Sequence, residues 1–406
     1  MSARWRAFRE SVRSGFWAIP SLCVVGAVLL ALLLVRLDRS LSTELRYAFG
    51  AGPDGAREVL SAITTAMITF TGLVFSITIV VLQLTSSQFS PRVLRTFLRD
   101  RQSQAALGVF VATFVYAVMV LRTVNGLDDD VFVPAVATTA GLLLLLASVG
   151  VFVFYIHHIA TSIQVSSIIS AIGDETRAAI GRRFPGGTDV PPDGGPRLPP
   201  DGLPTLVLPA PRSDVVTGID ERSLVQLACD ADVVLCSGVS LGDYVPEGAP
   251  LLEVLGDPGR LDVEAVRGCC HQARDRSLQQ DVAFGFRQLV DIAERALSPG
   301  INDPTTAVQA LDELHDLLRR LVTRPLRTGV HVDDRGAVRL VLPPERVEDF
   351  LALALDEVLH HGEDLLQVRT RVETLLEDVC AAALPQHRGA VEERLRRHRS
   401  AQATAG

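Results

Sequence analysis

Four long apolar runs without a charged residue constrain this chain more than any other feature of its sequence. The first, FWAIPSLCVVGAVLLALLLV, lies between Arg13 and Arg36, and the third lies between Arg101 and Arg122. A helix needs about 20 apolar residues to cross a hydrocarbon core roughly 30 Å thick. The first run is too long for a signal peptide, and another run follows at once. We therefore predict four transmembrane helices, at about residues 16–35, 59–84, 104–122 and 131–156.

The arginines beside these runs predict their orientation, because positively charged residues stay on the cytosolic side. Eleven lie on one side: Arg4, Arg6, Arg9, Arg13, Arg92, Arg95, Arg99, Arg101, Arg177, Arg182 and Arg183. Five lie on the other: Arg36, Arg39, Arg46, Arg57 and Arg122. Both termini are therefore expected in the cytosol, with the lipid bilayer as the first partner of the chain.

Charge and residue usage exclude several functions. After Arg183, 23 arginines stand against 36 acidic residues, so a nucleic-acid partner is not expected. All 39 basic residues are arginine, which rules out a Schiff-base lysine, a biotinyl or lipoyl lysine and a P-loop lysine. We find no nucleophile elbow and no phosphate loop, and we expect neither an enzyme nor a cofactor.

The second run differs from the others by its polar residues. On a helix they form one stripe, opposite an apolar face of Ile63, Phe70, Val74, Ile77 and Val81 that we assign to lipid. The candidate pore-lining residues of the stripe are Thr65, Thr69, Gly72, Ser76 and Gln83. One interpretation is that these residues pack against neighbouring helices or bond to their own backbone. The other is that several copies of the helix line a hydrophilic path.

The remainder of the chain is predicted to form a small β domain followed by a helical domain. The predicted ranges are 1–183 for the transmembrane domain with an interfacial helix, 184–202 for a Pro/Gly linker, 203–263 for the β domain, and 264–406 for the helical domain with a β-hairpin near 329–342. A helix, ERSLVQLAC, is expected to interrupt the β domain. The segment GDYVPEGAPLLEV resembles the turn of biotinyl and lipoyl carriers and of their barrel-sandwich relatives, which implies only turn geometry around Gly242 and Gly248.

The segment SPGINDP joins two predicted helices. Asp303 before Pro304 is a good N-cap and first-turn pair, which favours a tight helix connection. Exposed N–H groups at a helix start also attract anions, so a ligand site remains the alternative. The candidate ligand or anion-binding residues are Ser298, Gly300, Asn302, Asp303 and Thr305.

Adjacent histidines and cysteines give no metal site. His157 and His158 follow the fourth run and point about 100° apart on a helix, which favours an interfacial role. Cys269, Cys270 and His271 are also adjacent, and adjacent side chains rarely converge on one tetrahedral ion. We therefore predict no metal.

Three segments together resemble a bacterial family of predicted membrane proteins, domain of unknown function 2254. They are VLQLTSSQFSPRVLRTFLRD, YIHHIATSIQ and FGFRQLVDIAERALSPGINDPTTA. The resemblance covers nearly the full chain and implies a bacterial plasma (inner) membrane protein of the same architecture, without an activity or catalytic residues to carry over.

Two functions fit these observations. The first is a homo-oligomeric channel or passive transporter for ions or small solutes, in which the second helix lines the path and the cytosolic domains assemble or gate it. The second is a membrane-anchored sensor or scaffold whose soluble part binds a ligand or partner. The polar stripe favours the first, and the SPGINDP segment would carry the second.

Overall fold

The computed structural model describes residues 18–40, 52–88, 101–124, 132–162, 164–186, 205–278 and 280–405, with side chains except at 84–88, 162 and 401–405. Three predicted features lie outside these residues. They are the arginines before the first span, the arginines Arg92, Arg95 and Arg99 after the second span, and most of the predicted linker. The chain divides into two compact units, Met1–Gln164 and Val165–Gly406.

The first unit contains four helices in its described residues. They are α1 (Ala18–Ser40), α2 (Gly52–Gln88), α3 (Arg101–Leu121) and α4 (Ala135–Ser162). All four are long and apolar enough to cross a membrane, so each of the four predicted spans coincides with a candidate membrane helix. α2 starts seven residues before its predicted span because the polar segment before residue 59 is also helical.

α3 is the central helix of the first unit, and it packs against α1, α2 and α4. Small residues allow this close packing, as in other membrane bundles. A Cβ on Gly108 would lie 3.2 Å from the Cα of Pro20, so a larger residue would push α1 away. Phe70, Phe110 and Phe152 pack together in the core, with the rings of Phe70 and Phe152 stacked at 4.7 Å.

Two examples show how buried polar groups of this unit find hydrogen-bond partners, at a helix start and between two hydroxyls. Asp38 is only 7% exposed and accepts hydrogen bonds from the backbone N–H groups of Val136 at 3.0 Å and Ala137 at 2.9 Å. The end of α1 thus caps the start of α4, where N–H groups lack partners within the helix. Deeper in the bundle, the hydroxyls of Thr113 and Ser148 lie 3.1 Å apart and form a hydrogen bond.

The second unit combines two sheets with helices. Its helices are α5 (Val165–Arg183), α6 (Glu221–Ala231), α7 (Val263–Gly268), α8 (Val282–Leu297), α9 (Pro304–Val322), α10 (Val347–Gly362), α11 (Leu366–Ala382) and α12 (Pro385–Ala405). Its strands are β1 (Leu206–Pro209), β2 (Asp214–Ile219), β3 (Val234–Cys236), β4 (Tyr244–Val245), β5 (Pro250–Leu255), β6 (Cys270–Ala273), β7 (Val330–Val332) and β8 (Val338–Val341). The helix predicted at ERSLVQLAC is α6, and it is confirmed.

The strand order is β1-β5-β3-β8-β7 in one sheet and β4-β2-β6 in the other. β8 pairs parallel to β3, whereas the other pairs are antiparallel. The hairpin predicted at 329–342 therefore belongs to the same sheet as β1, β3 and β5, although the sequence grouped it with the helices. Residues far apart in sequence complete this sheet, since Leu340 packs in one core with Leu208, Leu235 and Val254.

The predicted turns have the backbone that their glycines allow. Gly242 and Gly248 have φ values of 89° and 82°, where an L-residue would be strained. The turn at Asp334, Arg335 and Gly336 joins β7 to β8, with Gly336 at φ 78°. The barrel-sandwich resemblance itself stays a prediction.

α5 belongs to the second unit, although the sequence grouped it with the membrane spans. It packs against α8 and α9. The contact is close because Gly285 of α8 lies against Thr176 of α5, and a Cβ at residue 285 would lie 2.0 Å from the Thr176 hydroxyl. Arg177 then pairs with two acids of α9, Glu313 at 2.7 Å and Asp316 at 2.9 Å.

Candidate functional site

The polar stripe of α2 lies on the outer surface of the first unit. The residues Thr65, Thr69, Gly72, Ser76 and Gln83 are all exposed. The face that the sequence assigned to lipid is instead packed inside the bundle, with Ile63, Val74 and Val81 buried and Phe70 and Ile77 partly buried. That assignment was wrong. In a membrane, lipid contacts apolar side chains as favourably as other helices do, so apolarity alone does not identify the outer face.

The threonine hydroxyls of α2 bond to the helix itself. Thr65 donates to the carbonyl of Ser61 and Thr69 to that of Thr65, both at 3.0 Å. The partly buried Thr78 bonds both to the carbonyl of Val74 at 2.8 Å and to the hydroxyl of Tyr155 at 2.9 Å. These bonds agree with the first of the two interpretations for the threonines. Among the described residues, the side chains of Ser76 and Gln83 have no hydrogen-bond partner.

The middle parts of the other spans present a different outer surface. α1 exposes Leu29 and Leu33, and α4 exposes Leu143 and Leu146, as expected for contact with lipid. The mid-span hydroxyls of α3 and α4, on Thr113 and Ser148, are buried. On the other described spans, exposed serine and threonine hydroxyls lie towards the helix ends, at Ser21, Ser40 and Thr139, whereas α2 exposes Thr65, Thr69 and Ser76 along its length.

The SPGINDP segment forms the predicted tight connection between α8 and α9. Asp303 caps α9, accepting bonds from the backbone N–H of Thr306 at 3.1 Å and from its hydroxyl at 2.6 Å. Asn302 has φ 49°, and the Ser298 hydroxyl donates to the carbonyl of Arg295 at 2.7 Å. The helix connection is confirmed. A ligand role of Ser298, Gly300, Asn302, Asp303 and Thr305 stays a prediction.

The adjacent histidines lie near the end of α4, and the adjacent cysteines lie at the start of β6. His157 is exposed at the end of α4, and the ring of His158 lies parallel to that of Phe154 at 6.2 Å. Their interfacial role stays a prediction. On β6, burial raises the pKa of Cys270 to about 12, so this thiol stays protonated and is a poor nucleophile.

A cleft of about 890 Å³ lies within the second unit, at the end of α5 and the start of α6. Its charged and polar lining includes Arg182, Arg183, Asp220, Glu221, Arg222, His271, Gln280, Arg327, Thr328 and His331. Four arginines stand against two acids among these described residues. The cleft is therefore positively charged, although the sequence after Arg183 is acidic.

One buried acid fixes two of the arginines. Glu221, with a side chain 12% exposed, pairs with Arg183 at 2.6 Å and with Arg327 at 2.6 Å. Burial alone would raise the pKa of Glu221, but the two arginines outweigh it and lower that pKa. Burial also lowers the pKa of His331, against the pull of Glu221 3.8 Å away. The paired guanidinium groups are thus held in place, and His331 contributes no charge at neutral pH.

The residues of this cleft were not singled out from the sequence as a binding site. They come from α5, the β2–α6 junction, β6, the segment before α8, the segment before β7 and β7 itself, more than 140 positions apart at the extremes. Each is an ordinary charged or polar residue in its local sequence. Only the packing of α5 onto the soluble helices and the pairing of β8 with β3 bring them together.

Comparison with known proteins agrees with the fold. The family model described as "Predicted membrane protein (DUF2254)" matches residues 13–378. The chain belongs to this family. Uncharacterized proteins of Mycobacterium bovis and Mycobacterium tuberculosis are 32% identical to it over 408 residues, which cover 97% of this chain and 77% of theirs. No solved structure matches the chain significantly.

Membership of the DUF2254 family confirms the resemblance found in the sequence. The chain is thus a predicted membrane protein with four possible spans. The family description assigns no activity, so the α2 stripe and the cleft are the features from which a function can be argued.

Proposed function

We propose that several copies of this chain assemble into a channel or passive transporter for ions or small solutes, with α2 of each copy facing the path. The observation that supports this is the outward polar stripe of α2, beside spans whose mid-membrane outer faces are leucine-rich. A second copy is the occupant that this face suits, because small and hydroxylated residues favour contacts between membrane helices.

A path between subunits is required because four helices from one chain fill their own interior. The core between α2, α3 and α4 is occupied by the rings of Phe70, Phe110 and Phe152. Symmetric assembly would instead surround a central axis with copies of the stripe. No enzymatic step is part of this proposal, and the second unit would assemble or gate the path.

The arrangement in the membrane is part of the same proposal. The second unit and both termini face the cytosol of a bacterium, and the spans lie in its inner membrane. Arginine placement supports this orientation. Labelling of intact cells with a membrane-impermeant thiol reagent tests it: a cysteine introduced at Arg260 should react only after the cells are opened, and labelling before opening would contradict the orientation.

Single-channel recording from purified full chain in a planar bilayer tests the conduction. We expect discrete currents, and we expect a Thr69→Leu/Ser76→Leu variant to lose them because leucine removes the polar lining. Thr139→Leu is the matched control, since Thr139 is an exposed threonine near the start of α4 whose hydroxyl bonds to the carbonyl of Ala135 at 2.9 Å. Currents that persist in the double variant would contradict a path along α2.

Disulfide crosslinking tests the assembly separately from conduction. A Ser76→Cys variant should form crosslinked dimers above the background of the native cysteines, whereas Leu146→Cys on the outer face of α4 should not. Equal crosslinking at both positions would contradict a subunit contact at the stripe. Crosslinking without current from folded, inserted protein would leave an assembly and refute the channel.

A further inference from the structure

The positively charged cleft of the second unit contains two arginines that neither cap a helix nor pack in a core. Arg182 and Arg222 line it, both are exposed, and within the described part of the chain neither has an ion-pair partner. Across the described part of this unit, arginines commonly pair with acids, as Arg177 does with Glu313 and Asp316. Two arginines without an ion pair among the described residues therefore lie at the same cleft.

The second pair of arginines gives the cleft a fixed geometry. Arg183 and Arg327 are both bound to Glu221, and Arg183 also lies 3.3 Å from Glu345. Their side chains lose little freedom when a ligand arrives, because the folded protein already orders them. The side-chain oxygen of Gln280 accepts from the backbone N–H of Ile219 at 3.0 Å, which orders another polar group of the lining.

From this geometry we infer that the cleft binds a small molecule bearing phosphate, of about nucleotide size. Guanidinium groups match phosphate oxygens in pairs, and the four arginines and two acids of the lining leave two net positive charges, which suit a doubly charged group. A volume of about 890 Å³ lies in the range of small-molecule sites, roughly 300–1,000 Å³.

The charge of the whole unit restricts the ligand to a small one. The sequence after Arg183 has 36 acidic residues against 23 arginines, so it repels an extended polyanion such as a nucleic acid. A compact phosphate reaches the cleft because local positive charge concentrates anions there. The phosphate could belong to a soluble metabolite or to a lipid headgroup, and both present the same chemistry to the arginines.

Calorimetric titration of the purified full chain in detergent tests this site. The probes are ADP, inorganic pyrophosphate and the soluble short-chain lipid dihexanoylphosphatidic acid, with adenosine as the phosphate-free control. We expect at least one phosphate probe to bind, more weakly as salt increases, and adenosine not to bind. Binding of ADP or pyrophosphate alone would identify a soluble ligand, and binding of the lipid alone a headgroup.

Variants at the uncompensated arginines locate the binding. Arg182→Ala/Arg222→Ala should weaken it by about tenfold or more, because charged hydrogen bonds are lost. The substitution breaks no ion pair among the described residues, so the melting temperature should remain unchanged. Arg260→Ala, an exposed arginine outside the cleft, should bind like the parent chain. No binding of any phosphate probe at roughly 1 mM, or equal binding by the double variant, would overturn the inference. Neither outcome bears on conduction through α2.

Discussion

Replacing Gly285 with alanine should destabilise the protein, although alanine is the better helix former. The added Cβ would lie 2.0 Å from Oγ1 and 2.7 Å from Cγ2 of Thr176 on the neighbouring helix α5. Thr176 is fully buried, and its hydroxyl donates to the carbonyl of Ile172 at 2.7 Å. A rotation of this side chain would break that bond, so α5 and α8 must move apart.

Two opposing terms determine the size of the effect. Alanine instead of glycine inside a helix gains about 1 kcal/mol. Overpacking typically costs about 1–3 kcal/mol, and the separations from both Thr176 atoms, below any ordinary contact, favour the upper end. The expected net loss is about 1–2 kcal/mol in the free energy of unfolding. For a unit of this size that corresponds to a decrease of roughly 2–8 °C in melting temperature.

Far-UV circular dichroism of the full chain in detergent, at one heating rate, measures this change. Gly181→Ala is the matched control on α5, because no atom lies within 4 Å of a Cβ built there. It should leave the melting temperature unchanged or raise it. A Gly285→Ala variant that melts at or above the parent temperature would refute the close approach of α5 and α8. Adding Thr176→Ala should recover part of the loss, because it removes both Oγ1 and Cγ2.

Three further substitutions test individual contacts by thermal unfolding. Asp38→Ala should cost about 1–3 kcal/mol because two N–H groups at the start of α4 lose their acceptor, and an unchanged melting temperature would contradict this cap. Asp303→Ala should cost about 0.5–2 kcal/mol at neutral pH. Hydrogen bonds from Thr306 lower the pKa of Asp303. The stability that the Asp303 cap contributes is therefore present above the ordinary carboxyl pKa and is lost as the pH falls through the lowered one. An equal cost of Asp303→Ala in strong acid would contradict this pH dependence. Burial raises the pKa of Glu345 despite Arg183. The contribution of this side chain to the free energy of unfolding is therefore complete at low pH, and it is lost as the pH rises from the ordinary carboxyl pKa through the raised one. Glu345→Gln should therefore raise the melting temperature more at pH 7 than at pH 4, and the opposite order would contradict the raised pKa.

Features with a local physical cause could be predicted from the sequence. The four predicted spans follow from the length of uncharged apolar runs, and the structure has four candidate membrane helices at these runs. The cap at Asp303 and the turn ending at Gly336 follow from residue types with strong local preferences. SPGINDP is conspicuous because Asn302 takes a left-handed conformation and Asp303 caps a helix. Its unusual composition thus has a local explanation that needs no ligand.

Features that depend on tertiary packing could not be predicted. The parallel pairing of β8 with β3 joins segments about a hundred residues apart, and nothing in either strand indicates the partner. The cleft likewise requires Arg183 and Arg327 to meet at Glu221. The outer face of α2 was assigned wrongly because the sequence shows that the helix has two faces but not which one meets α3.

Two residues of the α2 stripe, Ser76 and Gln83, favour a subunit contact there more than its threonines do. Thr65 and Thr69 satisfy their hydroxyls with carbonyls of the same helix, so either could face lipid at little cost. The side chains of Ser76 and Gln83 have no hydrogen-bond partner among the described residues. A hydroxyl or carboxamide left without a partner in hydrocarbon costs several kcal/mol, whereas a second copy or a water-filled path would supply one. Because Gln83 lies at the end of the apolar span, within reach of the headgroup region, Ser76 is the residue whose surroundings best separate lipid from a subunit contact.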